Sequence, residues 1–257
     1  ALKGCEYVLH VASPVIPGDV DEDSLVKPAV EGMTRCLNAA IKNGAKKFVQ
    51  TSSYAAIYGN DKSEHGDNDW TDLSNKNLLP YEISKTKSEK KMWEMVKKSD
   101  ITACAINPVL VLGPSLSGVL SMSNRLTIKK LFNLPFVPDM AISVVGVMDV
   151  ADAHVRAMES TKSNGKRFLL SEKTIKLIEL TKILKKAGCK VDSSDSKVKM
   201  DREWVMNMLK TVPKKFSITP RNKNNKIKIG GNDIVFGNVS SPCLLYTSPS
   251  PRDRQKS

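Results

Sequence analysis

The chain has 257 residues, of which 26% are charged and 40% hydrophobic, and these proportions exclude a disordered protein. No run of 18 apolar residues occurs and the first residues do not form a signal peptide, so the sequence excludes a membrane span and predicts a cytoplasmic protein. Its five separated cysteines lack a CxxC pair and an even count, which excludes a disulfide framework and argues against a zinc site.

The net charge of +13 is unevenly distributed along the chain. Acidic and basic residues balance within residues 1–150, so residues 151–257 carry the whole excess. Such an asymmetry indicates either a basic nucleic-acid-binding half or two unrelated pieces joined together. The basic run at 221–228 has no interleaved aromatic residues, so we favour a solvated loop there over a nucleic-acid contact.

Strands and helices alternate in the first half of the chain. A short apolar run at 5–13 predicts a buried strand, and apolar residues at helical spacing predict a helix over 24–43. A second strand is predicted at 46–53, a second helix begins at Tyr81, and a third strand is predicted at 101–108. This order predicts a parallel α/β sheet, in which ligands bind at the carboxyl ends of the strands.

Tyr81 and Lys85 are the first candidates for chemistry. They are four residues apart at a helix start, so they lie on one helix face. A phenol is a poor proton donor or acceptor at neutral pH unless a nearby ammonium stabilises the phenolate. A hydroxyl at a strand end, such as that of Ser53, would then hold a substrate carbonyl while Tyr81 protonates it during hydride transfer.

Five stretches give this pair its context: VLHVASP, FVQTSSYAAIYG, YEISKTKSEK, INPVLVLGPSLSG and VMDVADAHVRAME. Over residues 1–175, they resemble the extended short-chain dehydrogenases/reductases, in particular the dihydroflavonol reductase-like carbonyl and aldehyde reductases. The resemblance implies an NADP(H)-dependent reductase of small-molecule carbonyl substrates, with NAD as the other possible cofactor. No metal, nucleic acid or membrane is implied. A nucleotide-sugar epimerase/dehydratase and a hydroxysteroid dehydrogenase remain alternatives within the same superfamily.

The resemblance also assigns roles to individual residues. Ser53, Tyr81 and Lys85 match the family's catalytic residues, and Lys85 would also bind the nicotinamide ribose. The segment 115–138 would help to enclose the substrate. The residues implied to bind the cofactor are Val11, Ala12, Ser13, Thr51, Ser52, Tyr81, Lys85 and Pro108.

One departure from the family pattern affects the expected fold. Members begin with a strand, a glycine-rich loop and a helix that hold the pyrophosphate, and no GxxGxxG or GxGxxG motif occurs in this chain. In the family, the stretch matching residues 1–14 lies well inside the protein. We therefore expect an incomplete Rossmann-like α/β parallel sheet, truncated at its amino end, whose first strand has an open apolar edge. Cofactor affinity and activity would be weakened.

The second half changes character near residue 175. Residues 175–187 predict an amphipathic helix ended by Gly188, and a further helix is predicted from Asp201. The segment 176–242 resembles the amino-terminal region of trimethylamine methyltransferase-family proteins, but it includes no catalytic residue of that family. Gly230 and Gly231 within it predict a β-turn.

The sequence accordingly predicts three parts. Residues 1–175 form a truncated reductase domain, 176–242 a small helical or irregular segment, and 243–257 a disordered tail that resembles translated sequencing adapter. A hypothesis of a different class follows from the missing glycine-rich loop and the two foreign segments. On that hypothesis, the chain is a chimaera without activity.

Overall fold

The structure, a computed structural model, describes residues 2–15, 21–113, 137, 139 and 141–186, and the backbone of residues 226–229, 232–235 and 245–246. The strands are β1 (Tyr7–His10), β2 (Lys47–Thr51), β3 (Thr102–Pro108), β4 (Leu110–Leu112), β5 (Ala141–Gly146), β6 (Arg167–Leu170), β7 (Lys173–Lys176), β8 (Lys226–Ile229), β9 (Asn232–Val235) and β10 (Leu245–Tyr246). The helices are α1 (Glu22–Lys42), α2 (Pro80–Val96), α3 (Val147–Glu159) and α4 (Leu177–Lys186), with short 3-10 turns at Tyr54–Ala56 and Thr161–Ser163.

The main sheet has the strand order β10-β1-β2-β3-β6. β1, β2, β3 and β6 are parallel, which confirms the predicted α/β class. The strand and helix order β1-α1-β2-α2-β3 follows the prediction, with ends that differ by a few residues. Because the strands are parallel, their carboxyl ends meet at one edge of the sheet, and the candidate residues lie along that edge.

Successive side chains of β2 face opposite layers of the fold, as the strand pleat requires. Phe48 is fully buried among Met33 and Leu37 of α1 and Met92 of α2. Val49, the next residue, packs with Cys104, Ile106, Ala157 and Met158 on the α3 side. Helices on both faces therefore explain why the predicted strands are apolar throughout rather than alternating.

A smaller sheet of order β4-β5-β7 follows the main one. Val144, Ile175 and Leu177 form its core together with Val137 and Leu180. The helix predicted at 175–187 begins two residues later because residues 173–176 form β7, which pairs antiparallel with β5. Gly188 and the helix predicted from Asp201 lie outside the described residues.

The second half of the chain contains a strand pair that the sequence did not lead us to expect. The run 221–228 was expected as a loop, but its last three residues lie in β8, Lys226–Ile229, which pairs antiparallel with β9, Asn232–Val235. The signal was present in the sequence, since isoleucine and lysine alternate over 226–229 with the period of a strand. Gly230 and Gly231 lie outside the described residues.

The outer edge of β1 is partly covered. β10 pairs antiparallel with it, placing Leu9 opposite Tyr246 and His10 opposite Leu245. The tail 243–257, expected to lack regular structure, therefore includes a two-residue strand. The free N–H and C=O groups of a sheet edge favour pairing with an extended segment largely irrespective of its side chains. Within the described residues, no helix is long and apolar enough to cross a membrane.

Candidate active site

The start of α2 sets the position of Tyr81. Pro80 occupies the first turn, where a missing N–H costs nothing, and the backbone N–H of Leu79 donates to the Glu82 carboxylate at 2.7 Å. These two features begin the helix at the carboxyl edge of the main sheet. Tyr81 is half-buried there, within the first turn of the helix.

Lys85 lies one turn further along α2. Its Nζ is 5.7 Å from the centre of the Tyr81 ring and donates to the Thr51 carbonyl at the end of β2, at 3.5 Å. The Lys85 side chain is buried. The structure therefore brings together a tyrosine, a buried ammonium and the end of β2, as the sequence predicted.

Thr51 is held from the opposite face of the sheet. Its hydroxyl lies 2.6 Å from Nε2 of His154 on α3, and Nδ1 of His154 lies 2.7 Å from the carbonyl oxygen of Val150. Burial lowers the pKa of His154 below its usual value, which favours the neutral ring. A neutral ring that donates through Nδ1 accepts through Nε2, so Thr51 donates to it.

Ser53 follows β2 directly. Its hydroxyl oxygen accepts from the Ala55 N–H at 3.1 Å and so begins the short 3-10 turn. Its carbonyl oxygen accepts from Nδ2 of Asn107 at 3.1 Å. The backbone of Ser53 is thus tied to β3, and its hydroxyl hydrogen can be directed at a ligand.

The residues predicted to bind a cofactor occupy the same edge with different exposures. Val11 is exposed after β1, Ala12 and Ser13 are half-buried, and Pro108 is buried at the end of β3. Ser52 is buried, and its hydroxyl donates to the Glu89 carboxylate at 2.5 Å. Of the predicted substrate segment 115–138, only Val137 lies within the described residues. Among the described residues, no cluster of histidine, cysteine and acidic side chains could hold a metal ion.

Glu89 and Arg167 are prominent residues of this site that the sequence did not single out. Glu89 is fully buried on α2, one turn beyond Lys85, and Arg167 of β6 pairs with it at 2.6 Å. The spacing Tyr81, Lys85, Glu89 places all three on one helix face and was a usable signal for Glu89. No local pattern identifies Arg167, because its position depends on the pairing of β3 with β6.

His10 is a second buried polar group at this edge. Its pKa is lowered to about 4, mainly because burial disfavours the charged ring, with a further contribution from the Lys85 charge. The ring stacks on Phe48, and Nδ1 has no hydrogen-bond partner within the described part of the chain. The neutral ring is therefore the form that this fold accommodates.

The low pKa of His10 predicts a pH dependence of stability. Between pH 6.5 and about 4, the unfolded chain binds a proton at this residue and the folded chain does not, so stability falls as pH falls through this window. We expect a loss of roughly 1 kcal/mol per pH unit, measured by urea unfolding at several pH values. The variant His10→Phe should show a shallower fall, and an unchanged slope would contradict this origin.

Comparison with models of known protein families identifies the family of this chain. The model of the NAD dependent epimerase/dehydratase family matches residues 1–170. The chain belongs to this family. A second model, trimethylamine methyltransferase (MTTB), matches residues 143–255 and overlaps the first over α3 and β6.

Several curated reductases are similar to the chain over most of its length. Cinnamoyl-CoA reductase CAD2 of Medicago truncatula is 34% identical over 193 residues, which cover 72% of this chain and 59% of the relative. Anthocyanidin reductase of Arabidopsis thaliana is 31% identical and dihydroflavonol 4-reductase of Gerbera hybrida 29%, with 55% and 53% of their lengths covered. The chain thus spans little more than half the length of these relatives.

Solved structures of reductases share the fold. The yeast methylglyoxal/isovaleraldehyde reductase Gre2, complexed with NADPH, superposes with a TM-score of 0.66 at 25% identity, covering 79% of this chain and 71% of that one. Vestitone reductase from alfalfa superposes with a TM-score of 0.61 at 22% identity, covering 85% and 73%. The family fold is therefore retained over most of the chain.

Proposed function

We propose that this chain carries the catalytic part of an NADP(H)-dependent reductase of small carbonyl compounds. The observation that carries the proposal is the buried Lys85 ammonium, held between the Tyr81 ring and the Thr51 carbonyl at the carboxyl edge of the sheet. The reductases among its relatives and the NADPH in the yeast structure support it. The substrate is proposed only as a carbonyl compound, with no nucleic-acid or membrane partner.

The donor groups at this edge fit one half of a nicotinamide dinucleotide. An ammonium and a phenol side by side suit the hydroxyls of a ribose, and Lys85 and Tyr81 supply them. The backbone after β1, at Val11 to Ser13, would lie along the same ligand. The sequence contains no glycine-rich loop for a pyrophosphate, so the proposed contacts are confined to the nicotinamide and ribose side. When bound, the dinucleotide would supply the hydride.

Three side chains of the protein would orient the substrate, transfer the proton and stabilise the negative charge that remains. The Ser53 hydroxyl donates a hydrogen bond to the substrate carbonyl oxygen and orients it. Tyr81 then donates its phenolic proton to that oxygen, as a general acid. The Lys85 ammonium stabilises the phenolate that remains, and its burial strengthens this interaction because little water competes for the charge.

We propose that the boundary of the reductase unit lies beyond residue 175. Ile175, Leu177 and Leu180 pack against Val144 in the core of the small sheet, so we extend the unit through α4. Residues 187–242 and the tail 243–257 are proposed as separate segments. We also propose a cytoplasmic location, supported by the five separated cysteines of the sequence, which lack the even count and the pairing pattern of a disulfide framework.

Titration with NADPH tests this proposal. We expect saturable binding by the parent protein and binding about 10 to 100 times weaker in Lys85→Ala, because a charged hydrogen-bond donor is lost. Fluorescence of the bound cofactor measures both. Lys87→Ala is the matched control, since Lys87 lies on the same helix but pairs with Glu22 at the surface. A parent protein that does not bind NADPH would instead support the chimaeric, inactive alternative.

A further inference from the structure

The Glu89 carboxylate is the centre of a buried hydrogen-bond network. It accepts from the Ser52 hydroxyl at 2.5 Å, from Nδ2 of Asn107 at 2.8 Å and from Nε1 of Trp93 at 3.1 Å. It also pairs with Nε of Arg167 at 2.6 Å. Four residues, one directly after β2 and the others on β3, α2 and β6, thus donate to a single carboxylate that is fully buried.

Arg167 extends this network to the loop that follows the 3-10 turn. Its guanidinium donates to the carbonyl oxygens of Asp67 and Asp69, and its Cζ lies 3.7 Å from the centre of the Trp70 ring. A further N–H donates to the Ala56 carbonyl at 3.4 Å. The side chain is only 8% exposed. Arg167 therefore connects this loop to the Glu89 carboxylate, to which Ser52 and Asn107 at the strand ends also donate.

The network surrounds Ser53 on both sides along the chain. Ser52, the residue before it, donates to Glu89, and Asn107 bridges Glu89 to the carbonyl of Ser53 itself. After Ser53, the carbonyl of Ala56 is held by Arg167. The ion pair thus contacts the chain directly at Ser52 and Ala56, on either side of Ser53, and reaches Ser53 itself through Asn107.

We propose that the buried Glu89–Arg167 ion pair is a positioning element, which holds the Ser53 hydroxyl where a substrate carbonyl must bind. The inference rests on the reductase function proposed above. Neither residue reaches the reacting atoms in this role. In other proteins, an apolar pair of the same size often stabilises the fold as well as a buried ion pair does. Here it would leave the buried Ser52 and Asn107 donors without an acceptor. The charge is thus useful chiefly for the geometry that it imposes.

Two independent variants test this role, so the test still works if one of them fails to fold. Glu89→Gln keeps the shape and removes the charge, and the double variant Glu89→Leu with Arg167→Met replaces the ion pair by apolar groups. We expect kcat to fall about 100-fold in both, since small displacements of a catalytic group have effects of that size. KM for NADPH should stay within about twofold, because the cofactor contacts of Lys85 are unchanged. Glu94→Gln, at an exposed position of the same helix, is the control and should retain activity.

Hydrogen exchange supplies a readout that does not depend on activity. Amides of residues 52–57 should exchange at least about tenfold faster in either variant that folds, whereas those of α1 should not change. Unchanged exchange at 52–57, or a kcat within about twofold of the parent in a folded variant, would overturn the positioning role. A parent protein without reductase activity would overturn the proposed function instead, and exchange alone would then decide whether the ion pair holds Ser53.

Discussion

Replacing Tyr81 by phenylalanine should lower kcat for NADPH-dependent carbonyl reduction by about 100- to 10,000-fold. The ring, its packing and its position beside Lys85 are kept, and only the proton donor is removed. The affinity for NADPH should change by less than about tenfold, because at most one neutral hydrogen bond to the ribose is lost. Steady-state rates with an aromatic aldehyde, followed by the loss of NADPH absorbance at 340 nm, measure kcat. The binding titration measures the affinity for NADPH.

Tyr54→Phe is the matched control for this variant. Tyr54 lies next to Ser53 in sequence, and its hydroxyl forms a hydrogen bond of 3.1 Å with Nδ1 of His65. Burial raises the pKa of Tyr54, which keeps its phenol protonated. Its removal should change kcat little. A Tyr81→Phe protein that retains the parent rate would refute the general-acid assignment, whatever the effect of the control.

Replacing Arg167 by leucine should lower the free energy of unfolding by about 3–5 kcal/mol. The substitution leaves the Glu89 carboxylate buried without its counterion, although Ser52 and Asn107 still donate to it. The contacts of the guanidinium with Trp70 and with the loop carbonyls are lost as well. Urea unfolding followed by tryptophan fluorescence measures the change.

Arg156→Leu is the control for this second variant. Arg156 pairs with Asp152 one turn away on α3, where both side chains are largely exposed. Water and salt screen such a pair, so we expect a change below about 1 kcal/mol. Equal losses in the two variants would show that the buried ion pair contributes no more than a surface one, contrary to our account.

Much of the fold was accessible from local patterns. Apolar runs and helical spacing predicted β1, α1, β2, α2 and β3 in the right order, because each of these elements buries a continuous apolar surface whose period is visible in the sequence. The pair β8 and β9 was missed although its alternation is visible. The basic composition of the run 221–228 indicated a solvated loop, whereas the alternation of lysine and isoleucine over 226–229 indicates a strand.

The candidate site divides in the same way. Tyr81 and Lys85 lie on one turn of one helix, so their proximity follows from spacing alone. Ser53 was recognised because it follows a strand that resembles a family motif. His154 and Arg167 reach the site from α3 and β6, more than a hundred residues along the chain from Thr51 and Ala56, and nothing local predicts such contacts.

The sequence by itself determined the parallel α/β class, the helix face shared by Tyr81 and Lys85, and the resemblance to a family that includes reductases. Only the tertiary structure decided that Ser52 faces inward, that four residues donate to Glu89, and that Arg167 joins the loop to that carboxylate. The physical reason is the range of the interactions. Periodicity reports which side of an element is buried, whereas a buried charge finds its partners only when strands distant in sequence pair.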